Sequence, residues 1–225
     1  MTGIRNFANP QCSILALLVC LLTALCVGMA GFALKTYRQR EQARLLPVNT
    51  EFYRSDNAHL ADATKPVDAA QAVRLVFFGD SRVHQWSPPP MIKHTEAIWR
   101  GVPGETTTQM TYRLREDVLA LSPDLVIIQA GINDIVAGSV LGLGEEAVDL
   151  AFRNLQSMTD MARRAGIHVL MLTVIQPSRP SLLRRAVWSR EIPALVSSLN
   201  TKLQALQEES VEVLDVNSTL APEGG

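Results

Sequence analysis

The chain has 225 residues, with 21 Lys plus Arg against 22 Asp plus Glu and a formal net charge of −1. That length allows one domain of ordinary size plus an appendage, and the charge balance excludes a strongly basic nucleic-acid binder. The three cysteines, Cys12, Cys20 and Cys26, all lie in or beside one apolar segment near the N-terminus, so the remainder needs no disulfide.

Ser13 to Leu34 (SILALLVCLLTALCVGMAGFAL) carries no charge. As a helix it would span roughly 33 Å, about one bilayer core. This predicts a membrane segment within residues 1–37. The alternative is a cleaved signal peptide, with Gly28-Met29-Ala30 as its small-x-small site. Lys35, Arg38, Arg40 and Arg44 follow the segment, and only Arg5 precedes it. By the positive-inside rule those charges place the C-terminal part in the cytoplasm. Residues 38–72 are polar, contain Pro47 and Pro66, and read as a linker. His59 reads there as a solvated linker residue.

Residues 73–225 alternate strand and helix signals. Val73 to Phe78 is a nearly continuous apolar run, as in a strand buried on both faces of a parallel sheet. It stops at Gly79-Asp80-Ser81, which reads either as a helix cap or as a strand-end nucleophile. Ser87-Pro-Pro-Pro90 forbids a long helix after it. Glu96 to Val102 predicts a second strand, leading into Gly101-Val-Pro-Gly-Glu-Thr-Thr107. A helix follows on Met110, Leu114, Val118 and Leu121. Asp124 to Ala130 predicts a third strand, ending at Gly131-Ile-Asn-Asp134. Glu145 to Ala165 predicts an amphipathic helix stopped by Gly166. Ile167 to Ile175 predicts a fourth strand, and Gln176 to about Arg185 a Pro- and Arg-rich loop. Ile192, Leu195, Leu199, Leu203 and Leu206 mark a further helix, and Val211 to Val216 a fifth strand. The alternation implies a five-stranded parallel sheet with helices on both faces. The small polar clusters after the first three strands then meet at one edge.

Acyl transfer needs a nucleophile, donors for a developing oxyanion and a base. Ser81 offers a hydroxyl and its own N–H, Gly104 an N–H free of side-chain crowding, and Asn133 an amide. Gly79-Asp-Ser81, Gly104 and Gly131-Ile-Asn-Asp134 resemble the first three blocks of the SGNH (GDSL) hydrolases, and Gly-Val-Pro-Gly-Glu-Thr-Thr resembles the second block of their acetylhydrolase and lysophospholipase-like branch. The resemblance implies a flavodoxin-like three-layer α/β/α fold. It implies serine esterase chemistry on acyl or acetyl esters of lipids or sugars, with no metal and no cofactor. Ser81 would be the nucleophile, Ser81 N–H, Gly104 N–H and Asn133 the oxyanion donors, and Asp80 and Asp134 braces for the turns. The implied partners are an ester substrate and, through the N-terminal helix, a membrane, with the domain outside the cytoplasm against the charge rule.

The family's base is a His in an Asp-x-x-His block after the fifth strand, whereas Asp215 is followed three places on by Ser218. His84, three residues past Ser81, is the alternative base, and His168 reads as structural. The expectation is that the natural protein continues past Gly225 into such a block, because the last strand is followed by no predicted closing helix. The competing readings are an inactive binding module for a glycan or lipid, and an O-acyltransferase using the same site.

Overall fold

The computed structural model describes residues 10–46, 73–86, 94–177 and 188–220. It divides into two units, Met1–Arg40 and Glu41–Gly225. The first unit is most of a helix, α1, that runs from Pro10 to Leu45. Every side chain from Leu17 to Leu34 is exposed. That is the reverse of a core helix, whose apolar stripe is covered. The hydroxyls of Thr23 and Thr36 donate to the carbonyls of Val19 (2.8 Å) and Phe32 (3.0 Å), so their polar groups are satisfied within the helix. Leu17–Leu45 is long and apolar enough to cross a membrane, a property anchors share with signal sequences. The helix is longer than the expected 13–34, and the linker reading of 38–72 is corrected over its first part. Thr36 to Leu45 (TYRQREQARL) is rich in strong helix formers, which continue the helix after apolarity ends. Residues 47–72 lie outside the described residues, as do His59, Ser87–Pro90, most of the Gln176–Arg185 loop and the last five residues.

Among its described residues the second unit holds five strands: β1 Val73–Gly79, β2 Thr95–Gly101, β3 Leu125–Gln129, β4 His168–Leu172 and β5 Val211–Leu214. All pairings are parallel, in the order β2-β1-β3-β4-β5. This is a flavodoxin-like order, whose reversal lies between β1 and β3. The described helices are α2 Ser81–Gln85, α3 Thr107–Asp117, α4 Ile132–Leu141, α5 Glu145–Arg164, α6 Ile192–Gln204 and α7 Val216–Leu220.

Alternate strand residues Val76, Phe78, Val126, Ile128, Val169 and Met171 are buried in one cluster with Met110 and Leu114 of α3, Leu155 and Met158 of α5, and Leu199 and Leu203 of α6. The opposite face carries Phe77 stacked on Trp99, ring centroids 5.0 Å apart, with Trp86 edge-on to Phe77 at 6.0 Å. Both Gly79 and Gly101 point to that face, where α2 packs against them. Helices thus lie on both sides of the sheet, as a three-layer α/β/α fold requires.

Local signals set the ends of the helices. Thr106 caps α3 through a reciprocal box with Gln109. Gly166 (φ 77) ends α5 in a Schellman turn, with Ile167 N–H on the Ala162 carbonyl at 3.1 Å and Gly166 N–H on Arg163 at 2.9 Å. Two elements depart from expectation. No helix was predicted over Ile132–Leu141, and the sequence there, INDIVAGSVL, lacks a polar face. Tertiary packing forms it: a Cβ on Gly138 would sit 2.1 Å from that of Ala147, so α4 lies almost backbone-close to α5. And β5 is followed by a short helix, Val216–Leu220, in place of the expected plain tail.

Candidate active site

Gly79 closes β1 because nothing larger fits. A Cβ there would lie 2.2 Å from the Gln129 carbonyl oxygen and 2.5 Å from Val83 Cγ2. Asp80 then caps α2, its carboxylate accepting the Arg82 N–H at 3.0 Å, and Ser81 becomes the first helical residue, half-buried. The capping and strand-end readings of Gly-Asp-Ser are therefore compatible: Asp80 caps, and Ser81 sits beyond the carboxyl end of β1. No hydrogen bond to its hydroxyl occurs among the described residues.

The other two clusters reach the same place. Gly104 is left-handed (φ 77) and its carbonyl accepts from Arg44 in the last turn of α1. Among the described residues its N–H has no partner. The Arg44 carbonyl in turn accepts the Thr106 hydroxyl at 2.7 Å, and Arg44 pairs with buried Glu41 at 2.5 Å. Asn133, in the first turn of α4, spans the two clusters. Its amide nitrogen donates to the Glu105 carbonyl at 2.9 Å and lies 3.5 Å from the Asp80 carboxylate. Only the first is a well-made bond. Asp134 beside it accepts the Thr107 N–H at 2.9 Å and the Thr107 hydroxyl at 2.6 Å, tying α3 to α4. So Ser81 and Asn133, at the starts of α2 and α4, and Gly104, in the loop after β2, belong to segments that Asn133 connects, beside the point where the strand order reverses. That crevice is where sheets of this type bind ligands.

Asp80 and Asp134 are both fully buried, and burial raises each pKa from 3.8 to about 6. For Asp80 the Arg82 N–H and the Arg82 charge oppose the shift. For Asp134 the two Thr107 bonds do so. Arg82 donates to the Ile175 carbonyl at 2.9 Å, and its own pKa falls through desolvation. Asp80 holds the start of α2 through the Arg82 N–H, and Asp134 holds the start of α3 through Thr107.

At the other end of the sheet, Asp215 accepts the Thr173 hydroxyl at 3.0 Å and the Ser218 N–H at 3.2 Å. Ser218 folds its hydroxyl onto the Asp215 carbonyl at 3.0 Å. The Asp-x-x-Ser sequence thus forms a self-contained cap for α7. The His84 side chain is exposed, and only its backbone is engaged, against Gly101. His94 is likewise exposed, and exposed His168 opens β4. None of these imidazoles hydrogen-bonds Ser81 among the described residues.

Sequence reasoning missed Arg44, Glu105, Thr107 and Arg113. Glu105 stood inside a recognised cluster, and its burial (2 % exposed) marks it out. Arg113, in the charged stretch Tyr112–Asp117, gave no local signal. It is 4 % exposed and forks onto Glu105 at 2.5–3.0 Å.

A family model described as GDSL-like lipase/acylhydrolase matches residues 77–225. This chain belongs to that family. The GDSL-like assignment agrees with solved structures. A GDSL-like lipase from Bacteroides thetaiotaomicron is 27 % identical, with a TM-score of 0.60 over 78 % of this chain and 83 % of that one. A candidate acylhydrolase from Bacteroides fragilis is 29 % identical, with a TM-score of 0.56 over 74 % and 77 %. An acetyl xylan esterase shares the fold at 20 % identity, TM-score 0.54, over 65 % and 79 %. No curated protein matches by sequence. Membership of this GDSL-like family supports hydrolysis of esters.

Proposed function

We propose that this GDSL-like chain is a membrane-anchored serine ester hydrolase acting on acyl or acetyl esters of a lipid or carbohydrate. The observation that carries the reading is Asn133, whose amide is bonded to the Glu105 carbonyl next to Gly104 and faces the Asp80 carboxylate next to Ser81 at 3.5 Å. In the proposed reaction the Ser81 hydroxyl adds to the ester carbonyl and gives its proton to a base. The oxyanion is received by the N–H groups of Ser81 and Gly104 and by the Asn133 amide, whose long contact to Asp80 is readily exchanged for a substrate oxygen. Collapse expels the alcohol, which takes a proton, and leaves an acyl-serine that water hydrolyses. Each donor of this type lowers the barrier by about 2.7–4 kcal/mol where measured. A polypeptide with no base at Ser81 would bind more than it turns over. The Asp215-Val-Asn-Ser218 cap favours that second reading, a glycan- or lipid-binding module.

Turnover of p-nitrophenyl acetate by the full chain, compared with Ser81→Ala, separates the two. Loss of turnover in Ser81→Ala together with fluorophosphonate labelling of Ser81 is expected. Equal rates with and without the hydroxyl would leave only the binding module. His84→Ala measured alongside tests that imidazole as the base. The domain is proposed to face the outside of the cytoplasm, where an anchored esterase meets envelope lipids and glycans. External protease should digest it in intact cells or spheroplasts, and full protection would reverse the topology.

A further inference from the structure

We propose that the buried Arg113–Glu105 ion pair is a positioning device for the oxyanion donors. This inference rests on the esterase reading of Ser81, Gly104 and Asn133. Glu105 follows Gly104 in the loop after β2, yet its side chain turns inward and is 2 % exposed. Arg113, two turns along α3, meets it with Nε at 2.8 and 3.0 Å and Nη2 at 2.5 Å. The same guanidinium donates to the Gly79 carbonyl at 3.0 Å and the Arg100 carbonyl at 3.0 Å, the last residues but one or the last of their strands. It also pairs with Asp117 at 2.9 Å and lies 4.2 Å above the Phe78 ring.

The chain of contacts is continuous. Gly79 leads directly into Asp80-Ser81, Arg113 holds its carbonyl, Glu105 is held by Arg113, and the Glu105 carbonyl receives Asn133. One planar fork therefore fixes the strand end carrying the nucleophile, the peptide next to the Gly104 N–H and the acceptor that orients the third donor. A requirement for stability alone would not select this arrangement. An apolar pair of similar volume commonly holds a core as well as a buried ion pair does. What the apolar pair cannot do is fix three backbone groups in direction. Oxyanion donors need placement to about half an ångström, and a misplacement of about 1 Å costs on the order of 10²-fold in rate.

The test uses the full chain and four variants: Glu105→Gln, Arg113→Lys, the double replacement Arg113→Met with Glu105→Leu, and Ser81→Ala. The double variant leaves no charge of the pair unmatched, and Asp117, 15 % exposed, keeps Arg100 at 3.7 Å, so it separates folding from positioning. Its thermal midpoint should stay near that of the parent, while kcat on a short acyl ester falls about 10²-fold and KM changes less than about threefold. Arg113→Lys keeps the charge but not the fork, so it should also lose kcat. A double variant that folds and turns over like the parent overturns the proposal. Amide hydrogen exchange supplies a readout that needs no turnover. Residues 102–108 should exchange at least about tenfold faster in the folded double variant, with β3 unchanged, as expected for a local loss of order. If Ser81→Ala matches the parent in turnover, the esterase reading fails, and the exchange result alone decides this inference. Unchanged protection at 102–108 would then overturn it too.

Discussion

Aspartates sit at the carboxyl ends of the strands on both sides of the sheet, in opposite electrostatic states. Asp80 and Asp134, beside β1 and β3, are fully buried, and desolvation raises their pKa to about 6. Asp215, after β5, is only part-buried, and the Ser218 N–H, ahead of every other influence, lowers its pKa. All three accept backbone N–H groups, so hydrogen bonding alone does not decide the sign. Burial does, because it penalises the charged form more than one or two donors recover. The region with raised values is also the one where Asn133 connects the Asp80 and Glu105 segments. There the carboxylates that hold the turns bear the desolvation cost.

Removing Asp134 tests the buried side most severely. Asp134→Ala leaves the Thr107 N–H and hydroxyl without their acceptor inside the core. At pH 5, where the carboxyl is mostly neutral, the loss should be about 4 kcal/mol in urea denaturation. A loss below that of the Asp215 variant would break the comparison. The pH dependence comes next. A folded pKa above the unfolded value means that the contribution is most favourable below about pH 4 and is lost as pH rises to about 6. Each acid should account for about 3 kcal/mol of that decline, and Asp80→Asn should flatten the stability profile over this window. Asp215 has the opposite sign. Its lowered pKa adds stability above the unfolded value of 3.8, lost as pH falls through the folded one. Asp215→Asn should therefore show its full deficit at neutral pH and a shrinking one as pH falls below 3.8, with a size below about 1 kcal/mol for a part-exposed bond network. The smallest effect belongs to Arg163, half-exposed between Asp160 at 3.4 Å and Glu208 at 2.6 Å. Arg163→Ala should cost about 0.5 kcal/mol and lose even that in 1 M salt.

Much of the sheet could be read from the sequence, because strands covered on both faces are written as short apolar runs. The glycines at or beyond strand ends were legible for a related reason: at Gly79 a side chain would collide, and at Gly104, in the loop after β2, φ is positive. Helix α4 was not legible, since it carries four β-branched residues (Ile132, Ile135, Val136, Val140) and Gly138, poor helix formers that pack against α5. The contacts that tie the site together were also hidden. Glu105 with Arg113 is a pairing of side chains that each look like ordinary surface charge, and Arg44 meets Gly104 across 60 positions of sequence. Nothing local announces a partner at that distance.

The last turn of α1 also bears on how a soluble form of the domain should be cut. Glu41 and Leu45 are buried, Arg44 bonds the Gly104 carbonyl, and Thr106 returns a bond to the Arg44 backbone. A protein begun at Lys35 sheds the apolar stretch and keeps this turn. One begun at Val73 matches the visible edge of the sheet, yet strips the Gly104 loop of its outer support. A comparison of that shorter protein with the parent would credit to the apolar helix what belongs also to the lost Arg44 bonds on Gly104 and Thr106.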